Sequence, residues 1–337
     1  MAAKPRCDGS LADVRTAIVR ITILAPFFLI AACAPKTQLV IRTGVVRSID
    51  ALPYFVLKDR GFDREAGIRL QETQYSGGAA VMDAMQKDQV DLGTSIGSVV
   101  VISAADKGLV PSAFVPVASE SISDLQHPAM ALFVSNGISS IKQLKGQFLA
   151  TNARDSLGGV MLAARMKEAG ISSYSLVDID LANQGLAVAG GSVAGASLSE
   201  PYVTQSLRRG DGHVLDWLTR SAPFLRMPYT MIVFRSGFLK DNPEAARRYL
   251  QAYLKAVQWT NIHTAGARSI LGKALDVDEE VARKVNLPAW PADGRDDPRL
   301  LLSLEKSMKD LGLIRSIPSP ESLYNETILD AALMEKR

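Results

Sequence analysis

Cysteine and histidine are both scarce in this chain of 337 residues. The only cysteines are Cys7 and Cys33, so neither a disulfide framework nor a cysteine-based zinc cluster is expected. The three histidines, His127, His213 and His263, form no pair with the spacing of metal ligands. We therefore expect no metal site and no cofactor.

Aromatic residues and excess charge are also scarce. Aromatic side chains make up 6% of the chain, the formal net charge is +3, and no block of like charges occurs. A nucleic-acid partner usually requires a basic patch, so none is expected here. The 47% hydrophobic content and the length fit a globular protein with room for two lobes.

A membrane-spanning segment is missing too, because the apolar run of residues 21–32 is too short to cross a bilayer. Its length and basic flank are typical of a signal peptide. The run ends in Ile30-Ala31-Ala32-Cys33, which resembles a bacterial lipobox. We predict a signal peptide over residues 1–32 and a tether over 33–38 that is lipidated at Cys33. The alternative is an ordinary signal peptide with an incidental cysteine.

The central pattern of the chain is a β-α-β unit over residues 70–98. A strand over 69–75 leads through a glycine break to a helix over 79–87. A second strand then ends in the predicted loop 93–98. Polar groups at the carboxyl ends of parallel strands commonly contact ligands, and the N–H groups of the next helix favour anions.

A second copy of this pattern covers residues 178–202. A strand is followed by a polar break at 183–185, a small helix, a glycine turn at Gly191 and another strand. Two similar α/β lobes that face each other would enclose a cleft.

The candidate ligand-binding residues follow the predicted strands of both lobes. Arg47 and Arg154 each come directly after a strand, where a guanidinium could bind a carboxylate, sulfonate or phosphate. Either arginine fits a solvated rim position equally well. Glu200 could accept a hydrogen bond from the ligand or merely fix the hinge. The predicted ligand contacts are Arg47, Ser48, Ser76, Gly77, Ser95, Gly97, Ser98, Arg154, Asp155, Ser156, Glu200 and Tyr202.

One motif raises an enzymatic alternative. Residues 93–97 read Gly-Thr-Ser-Ile-Gly and fit the nucleophile elbow of hydrolases. The chain has no HGGG run to form an oxyanion hole, and an apolar segment follows the motif. We therefore expect Ser95 to bind a ligand by hydrogen bonding, and we assign no catalytic residue.

Several short motifs together resemble the substrate-binding proteins of ABC importers. The resemblance covers residues 39–329, and the similar branch binds sulfonates, nitrate, taurine or thiamine-pyrimidine precursors. The residues that carry the resemblance are Leu52-Pro53-Tyr54, Lys58-Asp59-Arg60-Gly61, Tyr75-Ser76-Gly77-Gly78, Asp88-Gln89-Val90-Asp91-Leu92-Gly93, Ile141-Lys142-Gln143-Leu144-Lys145-Gly146, Ser199-Glu200-Pro201-Tyr202 and Leu239-Lys240-Asp241-Asn242-Pro243-Glu244-Ala245.

This resemblance implies an α/β fold of the periplasmic-binding-protein type II class. Two lobes joined by two crossing segments would close around a ligand in the cleft. The first lobe would comprise residues 39–135 and 227–337, and the second residues 136–226.

The implied function is that of a lipid-anchored, monomeric binding protein in the periplasm or at the cell surface. It would capture a small anionic or zwitterionic solute and deliver it to a permease with ATPase subunits. The alternatives are a ligand sensor, or an enzyme of the same fold that forms a pyrimidine with a cysteine-rich motif.

Overall fold

The computed structural model describes residues 38–124, 126–220, 224 and 226–334. The predicted signal segment and Cys33 lie outside these residues. Ten strands form two five-stranded sheets in the described part of the chain. They are β1 (Leu39–Val46), β2 (Ile68–Tyr75), β3 (Leu92–Gly97), β4 (Phe114–Ile122), β5 (Met130–Val134), β6 (Phe148–Thr151), β7 (Ser175–Asp178), β8 (Gly195–Ser199), β9 (His213–Asp216) and β10 (Pro228–Arg235).

The first sheet has the strand order β2-β1-β3-β10-β4. β1 is parallel to β2 and β3, whereas β10 is antiparallel to both β3 and β4. Strands β1 to β4 therefore point the same way, and their carboxyl ends share one edge. The central strands are buried on both faces, as expected for a sheet covered by helices on both sides.

The second sheet has the order β7-β6-β8-β5-β9 and repeats this arrangement. β6 is parallel to β7 and β8, and β5 is antiparallel to β8 and β9. In each sheet, the fourth strand in this order runs antiparallel to its neighbours: β10 in the first sheet and β5 in the second. It is also the first strand that the chain forms after it crosses from the other sheet. The predicted repetition of the β-α-β pattern is thus present in the strand order.

Two crossing segments connect the sheets, one between β4 and β5 and the other between β9 and β10. They run next to each other, since the amide of Ser123 donates to the carbonyl of Met227 at 3.0 Å. The fold therefore has the two lobes and two crossings that the sequence predicts.

Thirteen α-helices pack against the sheets in the described residues. They are α1 (Leu52–Arg60), α2 (Phe62–Glu65), α3 (Gly78–Gln86), α4 (Ser98–Asp106), α5 (Leu157–Glu168), α6 (Leu181–Ala189), α7 (Tyr202–Arg209), α8 (Ser236–Asp241), α9 (Pro243–Ile262), α10 (Thr264–Leu275), α11 (Glu279–Lys284), α12 (Leu302–Asp310) and α13 (Thr327–Met334). Short 3-10 helices cover Ile49–Ala51, Ile141–Leu144, Pro298–Leu301 and Pro320–Leu323.

Helix α9 forms the centre of the first-lobe core. Leu250, Tyr253, Leu254 and Val257 recur at helical spacing on one face, and all four are fully buried. They join a core cluster that includes residues of α1 and β1. The helical spacing of these four apolar residues in the sequence thus corresponds to the buried face of α9.

Three local predictions are wrong. β3 continues to Gly97 where a loop was expected from residue 93, because β10 pairs with it as far as Gly97. Helix α6 runs through the predicted break at 183–185, where Gln184 donates to the carbonyl of Ile179. β4 extends to Ile122, whereas the sequence predicts a strand over residues 113–118.

The boundary of the first lobe also differs from the prediction. The sequence predicts that residues 39–135, which include β5, belong to the first lobe. In the structure, β5 pairs with β8 and β9 and belongs to the second sheet. The first crossing therefore precedes β5.

Among the described helices, none is long and apolar enough to cross a membrane.

Candidate functional site

The carboxyl edge of the first sheet gathers most of the predicted first-lobe contacts. Arg47 and Ser48 follow β1, Ser76 and Gly77 follow β2, and Ser98 follows β3. The start of α3 lies against the end of β3, since a Cβ added to Gly78 would be 3.3 Å from the amide nitrogen of Gly97. Glycine at position 78 therefore lets the start of α3 approach the end of β3 without displacing its backbone.

Ser95 lies inside β3 and not at a strand-to-helix elbow. Its φ of 56° is in the left-handed region, and the register with β10 shifts at this point, which identifies a β-bulge. The residue is 5% exposed, and its amide donates to Oε2 of Glu120 at 2.5 Å. No described histidine bonds Ser95. The bulge thus directs the Ser95 amide to a buried carboxyl.

Two of the predicted serine hydroxyls are engaged within the protein. Ser98 Oγ donates to the carbonyl of Pro228 at 2.5 Å and also lies 3.1 Å from that of Tyr229, so it ties the start of α4 to β10. Ser156 is the N-cap of α5 and accepts the amide of Gly159 at 3.1 Å. Both side chains therefore hold the start of a helix in place.

Arg47 and Tyr202 come from different lobes and line the same cavity of about 410 Å³. The exposed Arg47 guanidinium bonds the carbonyl of Ala274 through Nε at 2.9 Å and Nη2 at 2.5 Å. Burial raises the pKa of the Tyr202 hydroxyl, and the charge of Arg47 partly offsets the rise. The carboxyl ends of β1 and β8 therefore border one cavity between the lobes.

Arg154 and Asp155 are exposed on the second lobe. Arg154 Nη2 lies 3.4 Å from the carbonyl of Leu176 on β7. Asp155 borders a different cavity, of about 280 Å³, whose walls are mostly helices α3 and α4 of the first lobe. Arg47 and Arg154 therefore bond backbone carbonyls in different parts of the protein.

Glu200 connects the two lobes. Its carboxylate accepts the amide of Thr204 at 3.0 Å and the hydroxyl of the same residue at 2.8 Å. It also accepts the amide of Asn286, in the region that follows β10, at 3.2 Å. Burial raises the pKa of Glu200, and these hydrogen bonds oppose the rise. The Glu200 carboxylate is therefore already hydrogen-bonded within the protein, to both Thr204 and Asn286.

Asp50 and Glu120 also lie near the carboxyl edge of the first sheet, although neither was predicted to contact the ligand. The sequence predicts Asp50 as the N-cap of a helix over residues 51–58, but in the structure its Oδ1 accepts the hydroxyl of Ser121 at 2.7 Å. Burial raises the pKa of Asp50, and burial together with the charge of Asp50 raises the pKa of Glu120 to about 8. The sequence signal was the polar run Ser119-Glu120-Ser121 at the end of an apolar strand.

Within the described residues, no group of three histidine, cysteine, aspartate or glutamate side chains could hold a metal ion. The candidate site therefore consists of polar side chains and backbone N–H groups at the facing edges of two sheets. Such an arrangement can bind a small solute by hydrogen bonds and charge.

Solved structures of binding proteins share this fold. The ligand-binding component of an ABC-type import system from Staphylococcus aureus matches with a TM-score of 0.74 and 16% identity, over 88% of this chain and 99% of that one. The periplasmic nitrate-binding protein NrtA of Synechocystis PCC 6803 matches with a TM-score of 0.71 and 13% identity, over 88% and 89% of the two chains. The expected periplasmic-binding-protein fold is confirmed.

Sequence comparison leads to the same group of proteins. A protein of Bacillus subtilis (strain 168) that is named for binding aliphatic sulfonates is 25% identical over 277 residues, which is 79% of this chain and 80% of the relative. The profile of the NMT1-like family matches residues 33–275. Since this match covers well over half of the sequence, the chain belongs to the NMT1-like family.

Proposed function

We propose that this protein is the substrate-binding component of an ABC importer, and that it captures a small polar solute between its lobes. The observation that carries the proposal is that the carboxyl ends of β1 and β8, from different sheets, border one cavity. The names of the similar proteins support the same role. The partners would be a permease with its ATPase subunits, and the location would be periplasmic or extracellular.

The solute class remains the one inferred from the sequence: an anionic or zwitterionic compound such as a sulfonate, taurine, a nitrate-like anion or a thiamine-pyrimidine precursor. Arg47 and Arg154 are exposed guanidinium groups that follow strands of different sheets, and we propose that they bind the acidic group of the solute. Their present partners are backbone carbonyls, which a stronger acceptor could replace.

Binding without catalysis is the better proposal for Ser95. A nucleophilic serine needs a base within hydrogen-bond reach of its hydroxyl, whereas the Ser95 hydroxyl has no hydrogen-bond partner among the described residues and only the Ser95 amide contacts the Glu120 carboxyl. A pyrimidine-forming enzyme would use a cysteine-rich motif, whereas Cys33 is the only cysteine after the signal segment. A sensor would use the same cleft, and neighbouring permease and ATPase genes would argue for transport.

Solute binding is expected to make the particle more compact. Two lobes joined by two crossings close by a hinge motion when a ligand bridges them. Native mass spectrometry of protein purified from its own host would first identify a co-purified small molecule. Small-angle scattering with and without that compound would then show a smaller radius of gyration in its presence. An unchanged radius at saturation would contradict the capture mechanism.

We also propose that the protein is anchored to a membrane through lipid on Cys33. The lipobox-like ending of the apolar run is the basis, and this segment lies outside the described residues. Replacing Cys33 with serine is expected to move the protein from the membrane fraction to the soluble fraction, or to leave the signal segment attached. Finding an unmodified Cys33 in the mature parent protein by intact-mass analysis would refute the anchor.

A further inference from the structure

Two carboxyl groups meet at the carboxyl edge of the first sheet. Asp50 follows β1, and Glu120 lies near the end of β4. The hydroxyl of Ser121 connects their surroundings, since it donates to Asp50 Oδ1 at 2.7 Å and lies 2.9 Å from Thr230 Oγ1. Thr230 pairs with both Gly97 and Ser121 across the sheet. The carboxyl pair therefore lies beside the loops that border the cleft.

No cation of the protein balances this pair. Glu120 has no exposed surface, and its Oε1 has no hydrogen-bond partner, while Oε2 accepts the Ser95 amide. Among the described residues, no lysine, arginine or histidine forms an ion pair with Asp50 or Glu120. An unpaired charge is strongly unfavourable in the protein interior, so such groups are normally paired or protonated.

The two residues differ in burial. Asp50 is half-buried, whereas Glu120 has no exposed surface. A small donor that reaches Asp50 could also offer a proton to the free Oε1 of Glu120. Asp63 is also buried, but it has the ammonium group of Lys58 2.9 Å away.

We propose that Asp50 and Glu120 together bind a protonated nitrogen of the solute, such as an ammonium or amidinium group. This inference builds on the proposed solute-binding function and narrows the solute to one with a cationic end. Arg47 and Arg154 would then bind an acidic end, if the solute has one. The cationic group supplies the donor that Glu120 Oε1 lacks, and its charge compensates the carboxylates.

The test uses methylammonium as the probe, because it is the smallest solute with the required group. At mildly alkaline pH and constant ionic strength, methylammonium chloride is expected to raise the melting temperature of the parent protein above that in sodium chloride. Asp50→Asn, Glu120→Gln and the double variant are expected to lose this difference. An equal response of the parent protein and the double variant to methylammonium would overturn the proposal.

Stability without any probe separates a binding role from a structural one. Glu120→Gln is expected to raise the melting temperature of the free protein at mildly alkaline pH, because it removes an uncompensated buried charge. The matched control Asp63→Asn is expected to lower the melting temperature but to keep the methylammonium response. A Glu120→Gln protein that melts below the parent would mean that the carboxylate serves the fold, which also contradicts the proposal.

A third test measures the binding of the natural solute. For a co-purified compound with a protonated nitrogen, Glu120→Gln is expected to weaken the affinity by more than about tenfold in calorimetry. If Arg47→Ala and Arg154→Ala weaken binding while Asp50→Asn and Glu120→Gln do not, the site takes an anion only. In that case the subsite is refuted and the proposed function stands. If no compound closes the lobes, the proposed function fails regardless of the methylammonium result.

Discussion

Replacing Asp91 with alanine is expected to lower the free energy of unfolding by about 3 kcal/mol, the lower end of the range for breaking a buried ion pair. Asp91 is 4% exposed. Its Oδ2 accepts the amide and Nε of Arg42 at 3.1 and 2.8 Å, and its Oδ1 accepts Nη2 of Arg42 and of Arg235 at 2.6 and 3.0 Å. With alanine at this position, the guanidinium groups of Arg42 on β1 and Arg235 on β10 would both lose the buried carboxylate to which they donate.

The matched control is Asp88→Asn, at an exposed carboxylate that contacts the same two arginines. Asparagine tolerates the positive φ of this position, so only the charge is lost. We expect a cost below about 1 kcal/mol for this exposed pair. Urea unfolding of both variants measures the difference, and equal costs would show that burial of Asp91 is not what matters.

The same site predicts a dependence on pH. Burial alone would raise the pKa of Asp91, but the hydrogen bonds from Arg42 and Arg235 outweigh it and hold the pKa below its usual value. The stabilisation by the ionised carboxylate is therefore present above the usual aspartate pKa and is lost as the pH falls through the lowered one. The difference in the free energy of unfolding between the parent protein and Asp91→Ala should therefore become smaller as the pH falls.

Replacing Gly159 with alanine is expected to cost about 3 kcal/mol, at the upper end for overpacking. A Cβ at this position would lie 2.5 Å from the carbonyl oxygens of both Ala153 and Arg154. Backbone atoms cannot move aside as a side chain can, so the loop before α5 would have to shift. Because this loop carries Arg154, Asp155 and the N-cap Ser156, we also expect weaker solute binding.

Gly137→Ala is the control for this variant. A Cβ on Gly137 would meet no atom within 4 Å, so the substitution should change stability by less than about 0.5 kcal/mol. Thermal unfolding of the two variants, followed by calorimetry with the co-purified solute, tests both expectations. If the Gly159→Ala protein is as stable as the parent, the backbone of the loop before α5 can shift at little cost in free energy, which contradicts the prediction.

Much of the fold could be predicted from the sequence, because the relevant signals are local. The alternation of short apolar runs with small helices indicated β-α-β units, and the spacing of Leu250, Tyr253, Leu254 and Val257 identified the buried face of α9. The motifs from Leu52 to Ala245 indicated the family, which the match over residues 33–275 establishes. These features depend on neighbours in the chain and leave a pattern in it.

The chemistry of the cleft was decided by the tertiary structure. The sequence drew attention to Arg47 and Arg154, because charged residues after strands are visible in a linear pattern, but it could not show that both already bond backbone carbonyls. Nor could it reveal Asp50 and Glu120 as neighbours, since they are far apart in the chain and meet only through sheet pairing. The environment of a buried charge depends on which groups surround it in space, and only the folded chain determines that.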